Sequence, residues 1–169
     1  MDASASTHVS RERHTFSKAE RLCSRSRIGL LFAEGRSRAS FPVKAIWLSA
    51  DEPGPFPVRV AFAVPKSRFK RAVHRNRIKR QLREAWREAK PAVYAALERQ
   101  HLELVLLYQG KRLPTYAELT AALAQILPVI VAEAQALADR SSPNSSDSPK
   151  GRHAGKESEA DDKREPNEP

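Results

Sequence analysis

The chain has 169 residues, with 30 lysines and arginines against 20 acids, a formal charge of +10 and one cysteine. This length suits one domain with a hydrophobic core and argues against two full-sized domains. A lone cysteine excludes an intramolecular disulfide, and the five scattered histidines lack metal-ligand spacing, so we predict neither a disulfide framework nor a protein-bound metal.

Both ends of the chain are polar. Residues 1–15 show no apolar periodicity, and we expect a flexible N-terminus there. Residues 141–169 carry seven acids and five bases with almost no apolar side chain, which predicts a disordered acidic tail. The predicted domain therefore spans residues 16–140, and the whole basic excess of the chain lies ahead of the tail.

A basic excess of this size points to a polyanionic partner, either nucleic acid or an anionic membrane surface. No uninterrupted apolar run approaches the roughly 20 residues that span a bilayer, and the first 25 residues lack the apolar region of a signal peptide. We therefore expect a cytoplasmic protein without membrane contact.

The first half of the domain predicts one helix and two strands. Ser24 is placed to cap a short helix that ends at Gly35, with Ile28, Leu31 and Phe32 on one side. The segment SFPVKAIWLSA, residues 40–50, predicts the first strand, with its proline at the start. After a turn rich in proline, RVAFAVP (residues 59–65) predicts a second, buried strand.

The second half predicts a basic helix, a strand and a final helix. The basic helix is expected from about Ala72 to Ala89, with Pro91 opening a new helical turn. LELVLLY, residues 102–108, predicts a third buried strand. A capping box over residues 115–118 opens the last helix, whose apolar side holds Leu119, Leu123, Ile126 and Leu127.

Pro128 is expected to kink or end that last helix and to leave a short separate helix as far as about Leu137. The order of helix, strands, helix, strand and helix predicts an α+β fold. We expect an α/β sandwich in which one small sheet has helices packed on it.

The basic helix carries its charge on one flank. At 100° per residue, the apolar stripe expected to face the sheet comprises Ile78, Leu82, Ala85, Trp86 and Ala89. A neighbouring flank comprises Asn76, Lys79, Arg80, Arg83 and Arg87. From Lys66 to Lys90 there are eleven bases and two acids. Like charges at this spacing repel by some tenths of a kcal/mol per pair, so the flank favours bound phosphates over an ordinary solvated face.

The same residues carry a family resemblance. The segment RNRIKRQLREAWR, preceded by FAVPKSRFKRAVH, resembles the RNR motif and its approach in the protein subunit of bacterial ribonuclease P. The positions that match RNRxKRxxRE are Arg75, Asn76, Arg77, Lys79, Arg80, Arg83 and Glu84. The segments of residues 16–37, 102–108 and 115–127 are also similar to the family, so the resemblance covers about Phe16 to about Leu127.

The resemblance implies a fold and a division of labour. The fold is like a ribosomal protein domain, with a mixed sheet and a left-handed β-α-β crossover, where handedness statistics alone would favour a right-handed one. The RNA partner carries the chemistry of removing the 5′ leader from precursor tRNA and holds the Mg²⁺ ions, and the protein is expected to be a monomer apart from the RNA. The acids of the predicted domain are dispersed, without a DxD or DEDD cluster, so we predict no catalytic side chain.

The resemblance also implies two sets of binding residues. The RNA-binding set is Arg75, Asn76, Arg77, Lys79, Arg80, Arg83 and Arg87. The leader-binding set is Phe32, Trp47, Lys66 and Arg68, where Ile46 could replace Trp47 if the strand register is shifted by one residue. Ile28 stands where relatives often have an aromatic residue, which weakens base stacking. The remaining aromatics Phe41, Phe62 and Trp86 are expected in the core.

Two other functional classes fit the composition. A ribosomal or general RNA-binding protein would carry a similar charge, and the RNR pattern with its flanks is the feature that argues against it. A DNA-binding helix-turn-helix needs two helices joined by a short turn, whereas the basic helix is flanked by predicted strands.

Overall fold

The computed structural model describes residues 15–50, 53–97 and 100–141. Its seven elements are α1 (Arg25–Glu34), β1 (Arg36–Ser40), β2 (Val43–Ser49), β3 (Val58–Ala63), α2 (Ala72–Leu97), β4 (Leu102–Tyr108) and α3 (Tyr116–Ser141). The predictions of a flexible N-terminus and a disordered tail fall on residues 1–14 and from 142 onward, outside the described residues. The four strands form one sheet in the order β1-β2-β4-β3.

The sheet is mixed. β2 pairs antiparallel with both β1 and β4, whereas β3 and β4 are parallel neighbours joined through α2. The predicted α+β fold with one mixed sheet is confirmed, and the β3-α2-β4 connection is the β-α-β unit that the resemblance implies. The hand of that crossover stays a prediction.

Helices cover the two faces of the sheet unequally. The larger core lies between one face and the pair α2 and α3, and it contains Trp47, Trp86, Leu106 and Leu123. On the other face, α1 buries Leu31 against Ile46 and Val105. Alternation along each strand assigns neighbouring residues to opposite faces, so the buried Trp47 lies under α2 and α3 while Ile46 lies under α1.

The first strand prediction missed β1. The strand expected over residues 40–50 is β2, and β1 precedes it in a hairpin that pairs Arg36 with Trp47 and Ser40 with Val43. β1 reads RSRAS and is almost entirely exposed. Because this edge strand is held by backbone hydrogen bonds and buries no continuous apolar face, its sequence lacks the period-two signal.

Two prolines lie inside helices that were expected to break. α2 continues through Pro91 to Leu97, and α3 continues through Pro128 to Ser141. Each proline removes one backbone hydrogen bond, but buried side chains follow it, with Val93 and Leu97 in α2 and Ile130 in α3. Tertiary packing on both sides of each proline therefore outweighs the local penalty. The helix ends expected near Ala89 and at Pro128 are wrong, and the alternative of a kink at Pro128 stays a prediction.

The continuity of α3 has a further consequence. By length and composition the helix is apolar enough over Tyr116–Arg140 to cross a bilayer, a property hidden at the level of sequence by the break expected at Pro128. Its buried residues include Leu119, Leu123 and Ile126, which belong to the core beneath the sheet. One side of α3 therefore packs in the core.

Both predicted helix caps are confirmed. The Ser24 side chain accepts from the Arg27 backbone N–H at the start of α1. In the capping box of α3, the Thr115 N–H donates to Glu118 (2.8 Å) and the Glu118 N–H donates to the Thr115 hydroxyl (3.3 Å). The hydrogen bond from the Thr115 N–H, with an ion pair from Arg112, holds the pKa of Glu118 below its usual value.

Candidate RNA interface

The face of the sheet under α1 has three rows of residues set by strand register. The first row is Ala39, Lys44, Leu107 and Ala63, which we call the open row. The second row contains Ile46 and Val105, which α1 covers through Leu31. In the open row every side chain is exposed or half-buried. This row is an uncovered strip of the sheet, where the resemblance predicts the leader cleft beside α1.

The orientation of α1 fixes which of its side chains border the open row. In the third row, Glu103 lies opposite Arg59 and bonds Arg27 of α1. Arg27 lies on one side of the buried Leu31, and at 100° per residue Ile28 and Phe32 lie on the other side. Ile28 and Phe32 therefore border the open row.

The leader-binding aromatics predicted from the sequence are separated by the sheet. Phe32 is 52% exposed, as a stacking residue requires. Trp47 is 1% exposed within the core under α2 and α3, so the indole has no free face for a base and the Trp47 prediction is wrong. The alternative position, Ile46, is the one on the α1 face. The reason is register, since a shift of one residue reverses the face.

Lys66 and Arg68 lie in the turn that follows β3 and are exposed. Because Ala63 ends β3 in the open row, this turn stands at the same end of the cleft. The loop is held by the buried Phe69 and by Arg75, whose guanidinium donates to the carbonyls of Phe69 (2.8 Å) and Lys70 (2.7 Å). Arg75 therefore positions the loop that carries Lys66 and Arg68.

The exposed flank of α2 forms the predicted basic surface. A shallow groove of about 590 Å³ lies among its side chains, which are Val73, Asn76, Arg77, Lys79, Arg80 and Arg83. The first turn of α2 contains no acid, so the partial positive charge of the helix N-terminus adds to that of the cations. Crowded cations and exposed N–H donors of this kind attract phosphate groups.

The bases in and around the RNR segment are not equivalent. The Arg83 guanidinium lies over the Phe62 ring, 5.8 Å from its centroid, and is half-buried. Arg87 bonds Glu84 with its Nε and Nη2 atoms at 2.6–3.1 Å, and this contact holds the pKa of Glu84 below its usual value. Arg77 and Arg80 are exposed and have no carboxylate partner among the described residues. They are the side chains most open to a bound RNA.

The last base of the stretch faces inward. Lys90 is 7% exposed, and its ammonium donates to Glu20 at 2.6 Å and to the Thr15 carbonyl. The charge counted over residues 66–90 therefore includes at least one base, Lys90, that is not part of the exposed basic surface.

Three other sequence assignments can be compared with the structure. Trp86 is fully buried, and Phe62 is half-buried against the core, in agreement with the core prediction. Phe41 is 76% exposed, so its core assignment is wrong. It lies in the β1-β2 turn, which the missed strand β1 creates. Lys44 was not predicted as a binding residue. The alternation of side chains along β2 puts it on the same face as Ile46, the face under α1.

Carboxylates of the described residues are mostly engaged by bases. Glu103 is fully buried and bridges Arg27 (2.8 Å) and Arg59 (2.7 Å), while Glu133 pairs with Arg38. Within the described ranges no group of three or more histidine, cysteine or acidic side chains could hold a metal ion. The exposed bases of the described surface can bind anions, and its exposed aromatic side chains can bind flat rings.

Comparison with known proteins identifies the family. The family model described as Ribonuclease P matches residues 16–130, which is more than half of the chain. The chain belongs to the ribonuclease P protein family. The ribonuclease P protein component of Porphyromonas gingivalis is 30% identical over 113 residues, covering 66% of this chain and 82% of the relative. This match confirms the resemblance that the RNR segment predicted.

Solved structures agree on the ribonuclease P protein fold. The Staphylococcus aureus RNase P protein superimposes with a TM-score of 0.55 at 21% identity, covering 67% of this chain and 96% of the other. The Thermotoga maritima RNase P protein, solved with 1-(4-fluorophenyl)-2-thiourea, gives a TM-score of 0.52 at 20% identity and covers 63% and 96%. As a ribonuclease P protein component, the chain is part of an endoribonuclease complex that acts in tRNA processing.

Proposed function

We propose that this protein binds the catalytic RNA of ribonuclease P through the exposed flank of α2 and binds the 5′ leader of precursor tRNA in the cleft beside α1. The observation that supports this proposal best is the exposure of Arg77 and Arg80 on a rigid helix, around a groove that has no carboxylate lining. The contacts to the catalytic RNA are assigned to Asn76, Arg77, Lys79, Arg80 and Arg83. Arg75 and Arg87 contribute through the loop and the helix surface that they hold.

The leader site is assigned to a second surface. Phe32 offers a ring for stacking, Lys66 and Arg68 offer charge at the end of β3, and the open row supplies the surface between them. Single-stranded RNA is bound by this combination of aromatic faces and fixed cations. Ile28, half-buried beside Phe32, adds apolar contact without a stacking ring.

The hydrolysis itself is assigned to the RNA partner. Metal-dependent phosphodiester cleavage needs converging oxygen ligands, and the described carboxylates do not offer that set because they lie apart and are mostly paired with bases. Mg²⁺ ions held by the RNA would activate the attacking water and stabilise the leaving oxygen. The protein would act as a monomer in the cytoplasm, by orienting the leader and neutralising RNA charge.

Reconstitution with the catalytic RNA of the same organism tests the proposal. We expect the protein to increase cleavage of precursor tRNA at low magnesium and to bind that RNA with an affinity that falls steeply with salt. The competing function, general binding of structured RNA, predicts a different partner. Sequencing the RNA that copurifies from cells separates the two, because ribosomal RNA as the main species would contradict our proposal.

A further inference from the structure

The end of the β1-β2 hairpin carries an exposed aromatic ring. Phe41 lies in the turn and is 76% exposed. Within the described ranges, Phe32 and Phe41 are the exposed aromatic side chains, and the other large exposed apolar residues are Val73 and Val129. A phenylalanine exposed to water lacks the stabilisation that burial would give it. A bound molecule that covered the ring at this turn would provide that stabilisation.

Strand register places this turn at the cleft. Ser40 pairs with Val43, and Val43 pairs with Tyr108, so the turn stands at the end of the sheet where β4 finishes. β3 is parallel to β4 and finishes at the same end. Three segments therefore lie at the same end of the sheet: the loop with Lys66 and Arg68, the N-terminus of α2, and the Phe41 turn.

Lys44 supplies a cation inside the same region. It lies in the open row between Ala39 and Leu107 and is half-buried, so its stem rests on the sheet. Among the described residues, no carboxylate lies within ion-pair distance of its ammonium. Arg27 and Arg59 on the same face share the buried Glu103. Small neighbours in the row, Ala39 and Ala63, leave space above the floor for a ligand.

The turn is held in place from two directions. The Ser40 hydroxyl donates to the Gln125 side chain of α3 at 2.7 Å, and the Gln109 N–H donates to the Pro42 carbonyl at 2.8 Å. These contacts hold the residues on both sides of Phe41, three positions ahead of Lys44 in the chain. Single-stranded RNA is bound by aromatic rings that stack on bases together with cations that meet the backbone phosphates.

We propose that Phe41 and Lys44 form a further contact site for single-stranded RNA, which extends the leader cleft beyond Phe32 along the open row to the β1-β2 turn. This inference rests on the proposed leader-binding function. The ligand is the part of the leader that lies beyond the nucleotides at Phe32. Phe41 supplies a second stacking ring beside Phe32. Ile28 in α1 has no ring to offer, and the ring of Trp47 is buried.

The test compares substrates that differ in leader length. Phe41→Ala and Lys44→Met are each reconstituted with the catalytic RNA, and binding is measured for precursor tRNAs with long leaders, with short leaders and without a leader. We expect Phe41→Ala to weaken binding of the long-leader substrate by about 5- to 150-fold, the loss of one stacked base, and to leave leaderless tRNA unchanged. Lys44→Met should lower the slope of log affinity against log salt by about 0.7, the value for one phosphate of a single strand.

Matched controls exclude general effects of surface change. Val129→Ala removes an exposed apolar side chain from α3, and Lys18→Met removes an exposed cation far along the chain from the hairpin. Neither should change the dependence on leader length. Thermal melting should show all four variants folded, because Phe41 is exposed and methionine keeps the stem of Lys44.

The outcomes separate this inference from the proposed function. Equal losses for leadered and leaderless substrates, or no loss at all, would overturn the hairpin site. If Phe32→Ala still gave a leader-dependent loss in that case, the proposed function would stand without it. A wild-type protein that neither binds the catalytic RNA nor promotes cleavage would instead overturn the proposed function.

Discussion

The ammonium of Lys90 lies 2.6 Å from Glu20 Oε1, and both side chains are buried. Glu20 also accepts from the Ser17 N–H (2.5 Å) and the Tyr94 hydroxyl (2.9 Å). The pair joins the segment before α1 to the middle of α2. A base that the sequence analysis counted in the charge of residues 66–90 is thus part of the internal structure.

Removing one partner of this pair should cost stability and leave RNA binding intact. For Lys90→Met we expect a loss of about 3–5 kcal/mol in the free energy of unfolding, because Glu20 is left charged in the interior. The salt dependence of RNA affinity should not change. Lys79→Met is the contrasting variant, with a smaller loss of stability and a lower salt slope. Denaturant titration and binding at several salt concentrations measure both quantities, and a lower salt slope for Lys90→Met would contradict the assignment.

The same cluster predicts a dependence of stability on pH. Burial disfavours the charged form of Glu20, but hydrogen bonds from Lys90, Ser17 and Tyr94 outweigh it and hold the pKa below the ordinary 4.5. A depressed carboxyl pKa stabilises the fold above the unfolded value, and that contribution is lost as pH falls through the folded value. The difference in unfolding free energy between wild type and Glu20→Gln should therefore shrink below about pH 4.5. A constant difference down to acid pH would argue against this mechanism.

The bases on α2 should contribute unequally to RNA binding. Replacing Arg77 and Arg80 by glutamine should weaken binding of the catalytic RNA and reduce the salt slope by about 0.7 to 0.9 for each phosphate that is no longer neutralised. Arg87→Gln should have a smaller effect, because Arg87 already bonds Glu84. Arg83 is a poorer choice for this test, since its contact with Phe62 would add a stability effect. Equal effects of Arg87→Gln and of either single glutamine variant would show that the internal pairing does not matter.

Phe32 and its neighbour Leu31 allow a test of the leader site. Phe32→Ala should weaken binding of precursors with long leaders by about 1–3 kcal/mol, with little change in stability because the ring is half in water. Leu31→Ala removes a fully buried side chain and should cost about 2–5 kcal/mol of stability. If Phe32→Ala weakened binding of tRNA with a leader and of leaderless tRNA equally, the role of Phe32 would be packing and not base stacking.

Glu103 should control the position of α1. Its carboxylate is fully buried and holds Arg27 of α1 and Arg59 of β3. Glu103→Gln should lower the free energy of unfolding by roughly 3 kcal/mol, because two cations lose their shared counter-charge. We expect leader binding to fall while binding through α2 is retained. The measurement is the ratio of the affinity for the leader to the affinity for the catalytic RNA. A proportional decrease in both affinities would argue against a specific role for the orientation of α1.

Several features of the fold could be predicted from local sequence. The cap at Ser24 and the capping box at Thr115 depend on side chains three residues from their partners. The strands β3 and β4 are short, mainly apolar runs, each with one charged residue. The RNR segment with its flanks predicted the family. It also predicted the basic flank of α2, because helical periodicity fixes which residues share a side.

The sequence alone determined that α2 would present a dense flank of cations and that the chain belongs with ribonuclease P proteins. Only the tertiary structure decided that Lys90 is turned inward, since its partner Glu20 belongs to a distant segment, whereas Arg87 pairs with Glu84 one turn away in the same helix. It also decided the face of Trp47, the exposure of Phe41 and the continuity of the helices through Pro91 and Pro128. These outcomes depend on strand register and on contacts between distant segments, which carry no local signal.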